Sequence, residues 1–137
     1  MPMQLEIVTA ERVVLSEEVD ALYAPTKAGR VGILPRHSAL LTILDVGEMD
    51  IVKGNERTPY AIAGGFMEVL NNRVTILADS VERADEIDET RAERARAAAE
   101  EALRNRESNI DLAQAEGELR RAMNRLRISQ IKNIRRS

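Results

Sequence analysis

Apolar positions recur with a period of two along the first 84 residues and with a helical period after them. Met3, Leu5 and Ile7 alternate with polar neighbours, and short β-rich runs follow at 13–15, 19–24, 31–34, 39–44, 49–52, 60–63, 66–70 and 74–77. Runs of this length and spacing predict a β-sandwich or barrel. The intervening "KGNER" and "LNNR" suit hairpins, because Gly and Asn tolerate positive φ. In "IAGGFMEV" two glycines stand where strands meet, which predicts a close backbone approach or a bulge.

After Ala84 proline disappears and the pattern becomes helical, which places a domain boundary between 1–84 and 85–137. Ala92, Ala95, Ala99 and Ala102 predict one small-residue stripe on a first helix, ending near Leu103. "RESNID" turns the chain, with Ser108 placed to cap a second helix and Asp111 three residues on. Leu112, Ala115, Leu119, Ala122 and Leu126 make the second stripe, drifting to Ile128, Ile131 and Ile134. Two such stripes predict an antiparallel hairpin, and the fold class is therefore α+β. Burial stabilises by about 25 cal/mol per Å² of apolar surface, so alanine stripes hold a hairpin weakly. Such a pair is either an economical surface element or a bistable one, and Gly117 is its candidate weak point.

Charge adds a polarity to the hairpin. The chain of 137 residues carries a net charge of −3, yet after Leu119 it bears only cations: Arg120, Arg121, Arg125, Arg127, Lys132, Arg135 and Arg136. A one-signed segment is a solvated tail or a dock for an acidic partner. Nucleic acid is disfavoured as that partner, because single-strand readers stack bases on aromatic rings and this segment has none. With no cysteine there is no disulfide framework or thiolate metal site. The longest apolar runs fall short of a bilayer span and the first ten residues lack a signal pattern, so the chain is expected to stay where it is made.

Catalytic constellations are absent. His37 is the single histidine, and its neighbour Ser38 would point to the opposite face of a strand. No glycine-rich phosphate loop occurs, and the lysines Lys27, Lys53 and Lys132 lie outside any such motif. One polar group is a candidate ligand site. Asp88 and Arg91 share a face at the start of the first helix, and Arg121 and Arg125 are four apart on the second. Arginine forks suit phosphate oxygens and a carboxylate could accept from an adenine amino group. The alternative makes Asp88 an N-cap and the arginines solvated surface.

Taken in order, "GRVGILPRHSALLT", "AGGFMEV", "VTILAD", "IDETRA" and "RAMNRL" resemble the ε subunit of bacterial F-type ATP synthase over essentially the whole chain. The resemblance implies an N-terminal β-sandwich seated on the γ subunit and the c-ring, followed by a regulatory helical hairpin. It further implies a non-catalytic rotor subunit, peripheral on the cytoplasmic face of the inner membrane, that couples proton flow to ATP synthesis. Its helices would extend toward the α and β subunits and restrain ATP hydrolysis. Gly29, Arg30, Gly32, Pro35 and His37 would belong to the segment facing the c-ring and γ, with Arg30 where relatives commonly carry an acid and Ala39 where they carry proline. Through the family's I/L-D-x-x-R-A motif, Ile87, Asp88, Arg91 and Ala92 would contact ATP with Glu82, Arg121 and Arg125. Ala98 stands where ATP-binding members have a further arginine. No cofactor is required, and ATP would be a regulatory ligand. Arg120, Arg121, Arg125, Arg127 and Lys132 would form the inhibitory basic helix. The rival class is a freestanding nucleotide-sensing adaptor whose basic helix docks an acidic protein.

Overall fold

The computed structural model describes residues 2–105 and 112–136. The chain divides into two compact units between Arg83 and Ala84. The first is built from β1 (Met3–Val8), β2 (Val13–Val19), β3 (Ala21–Thr26), β4 (Gly29–Ile33), β5 (Leu40–Lys53), β6 (Glu56–Leu70), β7 (Arg73–Ala78) and β8 (Val81–Arg83). The strands hydrogen-bond in the order β2-β1-β7-β6-β5-β3-β4, with β8 also on β6. All pairs are antiparallel except β1 with β7. β2 packs on β5 without pairing to it, as facing layers of a sandwich do.

The predicted alternation is present in β1, where Met3, Leu5 and Ile7 are buried and their neighbours half-buried. They join Leu22, Ile33, Leu44, Met49, Ile62, Met67, Val74 and Ile76 in one aliphatic core. Both predicted hairpins form, and Asn71 and Asn72 adopt φ of 51° and 60° in the β6–β7 turn. The structure corrects the strand divisions. The runs at 39–44 and 49–52 are one strand, β5, and those at 60–63 and 66–70 are one strand, β6. The run at 19–24 is instead split at Asp20 into β2 and β3, and the short β8 carries too few apolar residues to announce itself. Long strands reach both layers because β6 changes partner midway, pairing with β8 over Tyr60–Ile62 and with β7 over Gly65–Leu70. The change falls at the paired glycines: Gly65 has φ of 127°, and a Cβ there would overlap the Leu77 carbonyl oxygen.

The second unit opens with a 3-10 turn at Ala84–Glu86, followed by α1 (Glu89–Asn105) and α2 (Leu112–Arg136). The helices pack on each other, and α2 also reaches the turn that precedes α1, so they run antiparallel. The expected cap at Ser108 and Asp111 lies outside the described residues. On α1 the stripe differs from expectation: Ala92 and Ala99 are buried but Ala95 and Ala102 are exposed. At about 100° per residue, Ala95 and Ala102 lie roughly 60° and 80° away from Ala92, whereas Arg96 and Leu103 stay on its line. Arg96 and Leu103 are half-buried accordingly. On α2 the buried residues include Ala122 and Ile128 but also the polar Asn124 and Ser129. Helix α2 continues unbroken through Gly117.

Candidate functional site

A sandwich that turns its large apolar side chains inward should leave few outside, which makes the exceptions informative. With Met67 and Val69 pointing into the core, alternation sends Phe66 out. This sole phenylalanine is 53% exposed. Opposite it in the register stand Ile43 on β5 and Leu77 on β7, and the same row continues through Val8 on β1 to Val13 on β2. Ile43, Phe66, Leu77 and Val13 are each at least half exposed, Leu41 is exposed in the next row on that face, and Leu70 in the row beyond. At about 4.8 Å per strand the row runs for roughly 19 Å across one outer face. Burial of such a row by a partner would stabilise a complex by about 1.5 to 3 kcal/mol per large side chain. Sequence reading missed the row, because the signal is the parity of Phe66 against Met67 combined with cross-strand register.

The expected contact segment at Gly29–His37 is two things. Gly29–Ile33 is strand β4, and only 34–39 is loop. Arg30 is tied down within the sandwich: its guanidinium donates to the Glu48 carbonyl at 2.6 Å and to Asp50 Oδ2 at 2.9 Å. Asp50, 1% exposed, accepts at the same oxygen from Arg57 at 2.8 Å. That hydrogen bond holds the Arg57 guanidinium above its ordinary pKa, and the group also stacks 4.8 Å from the Tyr23 ring centroid. The Tyr23 ring covers Gly32, where an added Cβ would come 2.9 Å from it. Gly32 therefore serves packing, and Arg30 helps neutralise a buried carboxylate. Pro35 and His37 are half-buried in the loop, with His37 Nδ1 2.8 Å from the Ser38 carbonyl.

In the second unit Asp88 is the N-cap of α1. Its Oδ1 accepts from the Arg91 amide at 3.1 Å, three residues on, satisfying one of the first-turn donors. Ile87 and Ala92 flank it and are buried. Arg91 is exposed on α1, while on α2 Arg121 is exposed and Arg125 half-buried. Ala98 is exposed on α1, and Glu82 lies on β8 in the first unit. Of the basic set, Arg120 and Arg127 are exposed, and Lys132 lies on α2. Arg127 donates to Asn124 Oδ1 at 2.7 Å. Among the described residues no group of His, Cys, Asp and Glu could hold a metal ion, and no helix is long and apolar enough to cross a membrane.

Residues 2–84 match the family described as ATP synthase, Delta/Epsilon chain, beta-sandwich domain, and residues 85–130 its long alpha-helix domain. The chain is 66% identical over 135 residues to the ATP synthase epsilon chain of Herpetosiphon aurantiacus, covering 98% of this chain and 99% of the relative. It is 64% identical over 136 residues to that of Chloroflexus aggregans, covering 99% and 98%. A chain in the mitochondrial ATP synthase of Euglena gracilis shares the fold, with a TM-score of 0.73 at 23% identity over 95% of this chain and 81% of that one. A chain in the central stalk and c-ring structure of the Tetrahymena thermophila enzyme shares it with a TM-score of 0.62 at 15% identity, over 96% of each. With both units matched and near full-length identity of this order, the chain belongs to the ATP synthase epsilon chain family.

Proposed function

We propose that this non-catalytic subunit is a central-stalk component of a proton-translocating ATP synthase, with its sandwich docked to the γ subunit and c-ring through the outer apolar row. The observation that carries the reading is the alignment of Ile43, Phe66 and Leu77 on three adjacent strands, all outward and exposed. The relatives are named as epsilon chains, and one structural neighbour belongs to a central stalk and c-ring assembly. Association with the cytoplasmic face of the inner membrane would then be peripheral and made through the complex. The test is rebinding of the full chain to ATP synthase from which this subunit has been removed. Phe66→Glu and Ile43→Glu should each weaken rebinding at least tenfold, since each replaces about 1.5 to 3 kcal/mol of burial with a charge. Unchanged affinity in both variants would overturn the reading.

The hairpin carries the regulatory part of the proposal. Arg120, Arg121, Arg125, Arg127 and Lys132 share α2, and an acidic surface on the catalytic subunits would engage several of them at once. Each exposed pair contributes about 0.2 to 1 kcal/mol, so restraint of ATP hydrolysis would be graded and salt-sensitive. Alanine in place of all five should relieve inhibition while rebinding stays intact. If inhibition and its salt response persist, and Leu126→Ala abolishes them, the restraint is apolar. ATP as a regulatory ligand of Ile87, Asp88, Arg91, Ala92, Arg121 and Arg125, with Glu82, is the finest part of the proposal. It rests on the "IDETRA" motif at the start of α1.

A further inference from the structure

The loop between β4 and β5 holds a conformation that its own residues do not favour. Arg36 has φ of 67°, in the left-handed region that side chains other than glycine, asparagine and aspartate rarely enter. Nothing local requires an arginine there, and glycine would adopt the same turn without strain. A residue kept in a sparsely populated region needs surroundings that hold it.

The hold is partly local, in a turn that Pro35 opens, and partly comes from a distant turn. The Arg36 amide donates to Asn72 Oδ1 at 2.9 Å, and Asn72 Nδ2 donates to the Pro2 carbonyl at 3.1 Å. The Asn72 carbonyl in turn accepts from the Gln4 amide at 3.2 Å. One residue, itself at φ of 60° in the β6–β7 turn, thus ties together the start of the chain, the β4–β5 loop and the end of β6. Inside the loop the His37 amide donates to the Leu34 carbonyl at 3.1 Å, which closes a tight turn. The turn leaves Leu34 57% exposed and Arg36 exposed beside it. The chain then enters β5, whose outward residues Leu41 and Ile43 belong to the exposed apolar face.

We propose that Asn72 is a positioning residue for docking: it preforms the loop at 34–38, at the strand ends that border the exposed apolar face, so that Leu34 and Arg36 present one aliphatic group and one cation to the partner that covers that face. The surface that fits is apolar with a carboxylate at its margin. This inference rests on the docking reading above and adds to it a residue that touches no partner. A preformed loop binds without the cost of ordering it at contact. The side chain at position 72 is suited to the task because it offers an acceptor and a donor at once while tolerating positive φ.

The experiment uses the full chain and ATP synthase depleted of this subunit. Asn72→Gly keeps positive φ available in the turn and removes both side-chain bonds. Asn72→Asp keeps the acceptor for the Arg36 amide and loses the donor to Pro2. Hydrogen exchange at the Arg36 amide and rebinding affinity are read together. Asn72→Gly should speed exchange at Arg36 by at least about tenfold and weaken rebinding by a similar factor, while Asn72→Asp keeps Arg36 protected and most of the affinity. Arg36→Pro gives an independent route should Asn72→Gly fail to fold, since it removes the same N–H and forbids positive φ without altering the β6–β7 turn. It should lose more affinity than Arg36→Ala, which removes only the guanidinium. The inference is overturned if Arg36 exchanges freely in the parent chain, or if Asn72→Gly or Arg36→Pro rebinds like the parent or like Arg36→Ala respectively. Where that happens while Phe66→Glu still abolishes rebinding, the docking reading stands and Asn72 is a turn residue only. Where Phe66→Glu also rebinds normally, the docking reading itself has failed.

Discussion

The two units of the molecule bury different things. In the sandwich the fully buried side chains are large aliphatics, Leu5, Ile7, Leu22, Ile33, Leu44, Ile62 and Ile76 among them. Among the described residues of the helical unit, Ile128 is the one large side chain in that class, and the others buried include Ala92, Ala99, Ala122, Asn124 and Ser129. Hydrophobic stabilisation scales with apolar area, so the sandwich holds itself together through its core, whereas the hairpin rests on small contacts and local bonds. Ser129 donates to the Leu126 carbonyl at 2.8 Å, and Arg96 pairs with both Glu93 and Glu100 on its own helix. Interactions of that kind travel with a helix wherever it goes. A unit held by its own aliphatic core is thus joined to one stabilised largely within its own helices.

The largest effect that could break this comparison lies in the core. Ile62→Ala should cost about 2 to 5 kcal/mol, while Ala99→Gly in the hairpin should cost about 1 kcal/mol. For a unit of this size the first lowers the melting temperature by at least about 8 °C. A chain ending at Arg83 should keep the cooperative transition, and its loss would show the two units to be one folding unit.

Smaller effects sharpen the picture at the start of α1. Asp88→Ala removes the cap and should cost about 0.5 to 2 kcal/mol, seen as lost helicity with an unchanged sandwich transition. Asp88→Ser keeps a capping oxygen but not the carboxylate. It should preserve helicity and, if ATP binds as proposed, weaken it about tenfold in calorimetry, the typical scale for one charge-assisted contact. An absence of heat in the parent chain at millimolar ATP removes the nucleotide from the proposal and leaves Asp88 as a cap alone.

The smallest effect is electrostatic. The hydrogen bond from Arg96 holds the exposed Glu93 carboxyl below its ordinary value of 4.5. Because the folded value is depressed, the contribution is present above the unfolded pKa and disappears as pH falls through the folded one. Helicity followed between about pH 6 and pH 2 should therefore decline slightly on the acid side, and Glu93→Gln should remove that part of the decline. A large change would mean that one exposed pair holds the hairpin, contrary to the comparison.

Much of this architecture was legible along the chain. Alternation at Met3, Leu5 and Ile7 assigned the inner face of β1, and "LNNR" and "KGNER" marked turns that need positive φ. The shift to helical period after Ala84 marked the second unit, and Asp88 stood where an N-cap belongs. These are local properties, set by side-chain period, backbone sterics and donors within three or four residues of their partners. Register was not local. Ile43, Phe66, Leu77, Val8 and Val13 form a row only because five strands pair as they do. Asp50 meets Arg30 and Arg57, from 20 and 7 residues away, because β5 pairs with β6 on one side and with β3 on the other, and β3 in turn carries β4. Asn72 reaches Arg36 and Pro2 across 36 and 70 residues. The sequence by itself determined which elements form and which faces turn inward, because those follow from period and capping. Only the tertiary structure decided which outward residues stand side by side, because each such neighbourhood is a sum of pairings that no short stretch of chain contains.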